Sequence, residues 1–285
     1  MKKAFLLILC VCVAMLTVTT GCSNKKVESA DSSSVDSAAN EGADTVDSVD
    51  SATEVIAATP MPKAADQLFD DFFFNFIANK KLQMDRIKFP LPIVNGNKTT
   101  ELSRKMWKMD FFFRKQGYYT LIFDNEKQMK YSKSTDLDSV IVEKIHLKKG
   151  MIEQYWFDHQ DGNWKLNQIR NIPFKESYNA SFYSFLSRFF ANDGKGSVKS
   201  PLAYYGSDPN GEETNMINTT IPANEWSSFL PEVPHDMIYN ILYGQKYSES
   251  NRRIITFRGL ANGVETQLIF KLNGKDWRLE KVVAY

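Results

Sequence analysis

The sequence predicts an α+β fold: two tandem units, each a long amphipathic helix followed by an antiparallel meander. Three observations carry this. An aromatic helix pattern occurs twice, as FDDFFFNFIAN (Phe69 to Asn79) and FYSFLSRFFAN (Phe182 to Asn192). A hairpin frame also occurs twice, as Phe157-(x6)-Trp164-Lys165-Leu166 and Phe270-(x6)-Trp277-Arg278-Leu279. Both pairs are offset by 113 residues, and Ile141-Val142 falls over Ile254-Ile255 at the same offset. Residues 63–172 and 176–285 are therefore read as two copies of one unit, each of ordinary domain size.

Within each unit the helix comes first. Apolar residues at i, i+3, i+4, i+7 and i+8 form one buried stripe: Phe69, Phe72, Phe73, Phe76 and Ile77, and again Phe182, Phe185, Leu186, Phe189 and Phe190. Phe74 falls off the stripe and is expected to meet a second element. Phe89-Pro90-Leu91 then faces Ser200-Pro201-Leu202, and Trp107 faces Trp226 with drifted spacing. Strands are predicted at 118–123, 139–147, 151–158 and 163–169, and at 237–243, 253–258, 264–272 and 276–283. Glycines at 150, 162, 259, 263 and 274 punctuate them as turns.

The first 62 residues read differently. Lys2 and Lys3 precede an apolar run from Ala4 to Val18 and then small residues, which is a signal-peptide pattern covering 1–21. The run falls short of the about 20 residues a membrane span needs. Thr19-Thr20-Gly21-Cys22 resembles the lipobox of bacterial lipoproteins, with Thr19 where that family usually has leucine. The resemblance implies a lipidated Cys22 and a membrane anchor. Cys10 and Cys12 leave with the signal, so no disulfide remains.

From Val27 to Pro62 there are eight acids, no lysine or arginine and no aromatic residue. Such a segment buries too little apolar surface to offset its ordering entropy, so residues 22–62 are expected to form a lipidated, disordered tether. Acid-hydroxyl-small phrases recur there around Ser37, Thr45, Ser48 and Ser51. They resemble the O-glycosylation motif of Bacteroidetes envelope proteins. With four lysines before Val27 and eight acids from Val27 to Pro62, a total of +1 leaves the body at +5. That excess is too diffuse for nucleic-acid binding.

The helix, the Phe-Pro-Leu and the closing Gly/Trp hairpin together resemble the nuclear-transport-factor-2-like cone. Arg86-Ile87-Lys88-Phe89-Pro90-Leu91 further resembles a motif of a Bacteroidetes lipoprotein family of unknown function. The resemblance implies a curved sheet wrapped on a helix, often around a pocket, and no catalytic set to carry over.

The repeat is an internal control on candidate chemistry. Asp158, His159 and Asp161 look like an ion site, but their counterparts are Lys271, Leu272 and Gly274. The second copy keeps the aromatic frame and loses every ionic group, so the stretch reads as a polar hairpin turn. The three histidines, His146, His159 and His235, have no metal-ligand spacing, and no metal or other cofactor is expected. No G-x-S-x-G, P-loop or dinucleotide glycine pattern occurs. Asp110, Glu143 and Tyr155 are candidates for a pocket mouth, because one buried carboxylate with a tyrosine can serve acid–base catalysis. The aromatic content of 13% is read mainly as core, including Phe72 to Phe74 and Phe111 to Phe113. Tyr118, Tyr119, Trp156, Tyr204 and Tyr205 are the candidates for ligand or partner contact.

The expected function is a non-catalytic envelope lipoprotein. It would bind a small ligand, peptide or envelope protein, on the periplasmic side of the outer membrane by default, with surface display as the other arrangement. The alternatives are a cone-fold isomerase or dehydratase using one buried carboxylate, and a purely structural pairing module.

Overall fold

The aromatic repeat forms the helices. In the computed structural model, which describes residues 61–285 apart from 209–214, 231–233, 235, 246, 248–249 and 261–262, helix α1 (Phe69–Ala78) buries the whole predicted stripe. Asn79 is extended and ends α1. Its Oδ1 accepts from the Leu82 N–H at 3.0 Å and so caps a short helix α2 (Lys80–Arg86). Helix α3 (Ala180–Ala191) buries the second stripe together with Tyr183.

Twelve strands are present among the described residues. The first half supplies β1 (Leu91–Asn95), β2 (Lys98–Leu102), β3 (Tyr118–Phe123), β4 (Ser139–His146), β5 (Met151–Gln160) and β6 (Asn163–Pro173). The second supplies β7 (Val198–Ser207), β8 (Met216–Ile221), β9 (Met237–Leu242), β10 (Arg252–Gly259), β11 (Glu265–Asn273) and β12 (Asp276–Ala284). They make two six-stranded sheets, β2-β1-β6-β5-β4-β9 and β8-β7-β12-β11-β10-β3. The two orders match strand for strand. In each, one pair is parallel, β1–β6 and β7–β12, and the rest are antiparallel.

Neither sheet is completed by its own half. Strand β9 pairs with β4, placing Leu242 opposite Ile141, and β3 pairs with β10, placing Phe123 opposite Ile254. The exchanged strands also touch each other. The Ile122 N–H donates to Asn240 Oδ1 at 2.9 Å, and the Thr120 hydroxyl bridges to the Tyr239 backbone. All described residues belong to one compact unit.

Both sheets curve at the same place. The β5–β6 register shifts between Trp156 and Phe157, and the β11–β12 register shifts between Ile269 and Phe270, 113 residues on. An extra residue on one strand bends it and strengthens its twist. The bend wraps each sheet around its helix. Phe157 is met by Phe69, Phe72, Phe73 and Phe76 at 5.4–6.0 Å. Phe270 is met by Phe182, Phe185 and Phe189 at 5.1–5.6 Å. Each ring is worth roughly 1.5–3 kcal/mol when buried, so the cone interiors are closed by side chains that hold the fold. Phe74, 37% exposed, meets Phe113 and Tyr119 edge-on at 5.8 and 5.7 Å, the second element expected for it. No helix among the described residues is long and apolar enough to cross a membrane.

Candidate functional site

The inward face of each sheet covers its helix, and an open groove lies on the other face of the first sheet. Along β4, Val140 and Val142 enter the core around α1, while Ile141 and Glu143 point away from it. A groove of about 680 Å³ lies on that outer face. Ile141, Trp156 and Ile172 of the first half and Leu242 of the second form its apolar wall. Gln245 and Tyr247 come from the segment after β9, and Tyr178, 95% exposed, stands at the rim on the connection between the halves. Arg170 lies over the Trp156 ring at 5.4 Å.

The outer face of the second sheet is partly covered. There the connection after β3, a 3-10 segment (Glu126–Lys133), lies across the strands. Gln267 Nε2 is 4.0 Å from Met129 Sδ, and Arg252 pairs with Glu126 at 3.3 Å. Ile254, Ile269, Val283 and Tyr205 cluster beside it.

The groove has a polar, buried end. Glu143 is 1% exposed. Its Oε1 accepts from Gln154 Nε2 at 2.9 Å, and its Oε2 accepts from the Tyr183 hydroxyl at 2.8 Å and Asn240 Nδ2 at 2.9 Å. Asn240 Nδ2 also donates to the Tyr247 hydroxyl at 2.8 Å, which donates to the Ile122 carbonyl at 3.1 Å. Burial pushes the Glu143 carboxyl above its ordinary range, against the pull of its three donors. Burial, then the Glu143 charge, pushes the Tyr183 and Tyr247 hydroxyls up.

Asp110 and Tyr155 lie elsewhere, beside α1. The Tyr155 hydroxyl is 3.0 Å from both Asp110 Oδ2 and Glu153 Oε1, and Lys144 Nζ donates to it at 2.9 Å and pairs with Asp110. Sequence reasoning thus named two polar groups that meet and one, Glu143, that occupies a different face. Of the aromatic candidates, Trp156 lines the groove. Tyr118, Tyr119 and Tyr204 are buried in the core: β3 is covered on both faces, and Tyr204 lies on the buried face of β7. Tyr205 is half-buried under Lys281 and against Tyr285.

Asp161 and Gly162 have φ of 52° and 71° and form the two-residue turn of the β5–β6 hairpin. Asp158 accepts from Asn167, and His159 stacks on Trp164 at 4.7 Å. His146 lies 3.8 Å from Glu153. Among the described residues no three potential metal ligands gather. Cys22, Ser37, Thr45, Ser48, Ser51 and His235 lie outside the described residues.

Arg86 of the Phe-Pro-Leu motif is structural. Its guanidinium grips Asp66 with two bonds, at 2.7 and 2.8 Å, and donates to the Trp164 carbonyl at 3.2 Å. It ties the segment before α1 to the closing hairpin.

A family described as a domain of unknown function, DUF4348, matches residues 48–284. The chain belongs to the DUF4348 family. The match runs across both halves, so the whole DUF4348 region, and not one half, contains the groove. The chain is also similar to a crystal structure of an NTF2-like protein from Bacteroides fragilis. The identity is 37%, over 79% of this chain and 99% of that one, with a TM-score of 0.70. The fold is accordingly a mixed α+β fold of the NTF2-like type with two curved sheets. No curated protein matches the chain.

Proposed function

We propose that this chain is a tethered, non-catalytic binding protein of the cell envelope, and that the groove on the outer face of the first sheet takes a small amphipathic ligand. One observation carries the reading: an aromatic-and-aliphatic wall of ligand-sized volume opens beside a buried hydrogen-bonding end, while aromatic side chains close both cones. The repeated strand order, the matching bulges and the 113-residue offset support an origin by tandem duplication. The test is to purify the full-length protein from its native membranes and identify co-purifying small molecules by mass spectrometry. A compound should accompany the wild type and be lost from Ser139→Trp, which fills the groove mouth. A wild type without ligand, or a ligand kept by the variant, counts against the site.

The second reading is an isomerase- or dehydratase-type enzyme, favoured by the raised Glu143 carboxyl beside Tyr183. Against it, both Glu143 oxygens already accept bonds from the protein. A substrate turned over by the wild type and not by Glu143→Gln, with ligand binding intact in both, would establish that reading.

The lipid anchor at Cys22 and a periplasm-facing position on the outer membrane belong to the same proposal. They rest on the Lys2 to Cys22 pattern. Cys22→Ser should move the protein from the membrane to the soluble fraction. Intact mass will show sugar at Ser37, Thr45, Ser48 or Ser51, or its absence.

A further inference from the structure

A second depression, of about 360 Å³, lies at the far end of the second half. It is framed by the C-terminal end of α3, the turn that follows, and the β11–β12 hairpin. Its apolar floor is Phe185, Phe189 and Trp277, part of the core, and its rim is basic. Arg188 comes from the helix, Lys195 from the turn, and Lys275 and Arg278 from the hairpin. Asp276 is the single carboxylate in the lining. None of the four cations makes an ion pair with a described residue.

Ordinary causes do not account for this gathering. The helix dipole favours a cation in the last turn and so explains Arg188. It does not reach across to Lys275 and Arg278 on the hairpin. Packing does not require the charges either. At the same places in the first half stand Asn75, Gly162 and Lys165, one cation where the second half has three, around the same Phe, Trp and Leu frame. Like charges around one hollow repel each other, and an anion relieves that repulsion. Arginine and lysine converging from three segments suit an oxyanion, which takes several charge-assisted hydrogen bonds at once.

We propose that this depression binds a phosphate-bearing ligand, a class that includes a soluble sugar phosphate and the headgroup of an anionic lipid. The site is separate from the groove and does not depend on what the groove binds.

The test is calorimetric titration of the full chain with inorganic phosphate, with glucose 1-phosphate, and with phosphatidylcholine vesicles lacking or containing phosphatidylglycerol. At least one probe should bind, more weakly as salt rises. Lys275→Glu/Arg278→Glu should weaken that binding by about tenfold or more. Arg188→Gln, which leaves the hairpin unchanged, should weaken it in the same direction. Lys165→Glu, at the matching place in the first half, should leave it intact. Binding of phosphate or glucose 1-phosphate assigns a soluble ligand. Binding only to vesicles with phosphatidylglycerol assigns a lipid headgroup. If no probe binds, or if the charge-reversed protein binds as the wild type does, the proposal is wrong.

Discussion

Asp70 stands where the two halves meet. It lies in the first turn of α1 in the first half and accepts from the Tyr243 hydroxyl of the second at 2.7 Å. Burial pushes its carboxyl from an ordinary 3.8 up to about 6, despite the Tyr243 bond and the nearby Arg258. The folded protein therefore binds an extra proton between pH 4 and 6, and stability falls as pH rises through that window. The full difference is roughly 3 kcal/mol against the protein at neutral pH. Asp70→Asn keeps an acceptor for Tyr243 and removes the charge. It should melt higher than the wild type at pH 7 and like it near pH 4, as thermal denaturation at the two pH values will show. A lower melting temperature at both would mean that the carboxylate is stabilising.

At the level of elements, the strand exchange is fastened by a buried ion pair. Asp124 follows β3, and Arg253 in β10 pairs with it at 2.8 Å and donates to Asn179 Oδ1 at 2.8 Å. Arg253 also lies over the rings of Tyr247 and Trp277. Arg253→Ala takes the cation away from a buried carboxylate, a loss of about 3–5 kcal/mol. Urea denaturation should read that loss, and Lys165→Ala on the exposed hairpin should cost far less.

The same exchange marks the limit of what the sequence showed. Strands β3–β6 and β9–β12 were legible because apolar alternation and glycine turns are local signals. Strands β1, β2, β7 and β8 were not. Lys98–Leu102 is almost wholly polar on an exposed edge, and Pro92 and Pro201 interrupt the strand pattern. Helix α2 was hidden because Asn79 reads as an end and serves as a cap. Which sheet β3 and β9 join is a long-range choice that no window of sequence contains. The groove inherits that limit. Trp156 and Glu143 stood out as residues, but Leu242, Gln245 and Tyr247 reach the site only through the exchange.

For the whole molecule, exchange makes the halves one cooperative body. Each sheet lacks a strand without the other half, and each helix is partly covered by strands from it. Residues 61–173 alone should show no cooperative thermal transition by circular dichroism, whereas the intact chain should unfold in one step. Two separate transitions in the intact chain would mean that the halves are independent domains.

The position of a bound ligand decides whether the groove is the binding site. The most direct measurement is a crystal structure of the protein purified from its native envelope with its co-purified compound retained. The account predicts density along Ile141, Trp156 and Leu242, beside the Gln154–Glu143 end, with both cones still filled by phenylalanine. Density inside a cone, with those rings displaced and the groove empty, would contradict it.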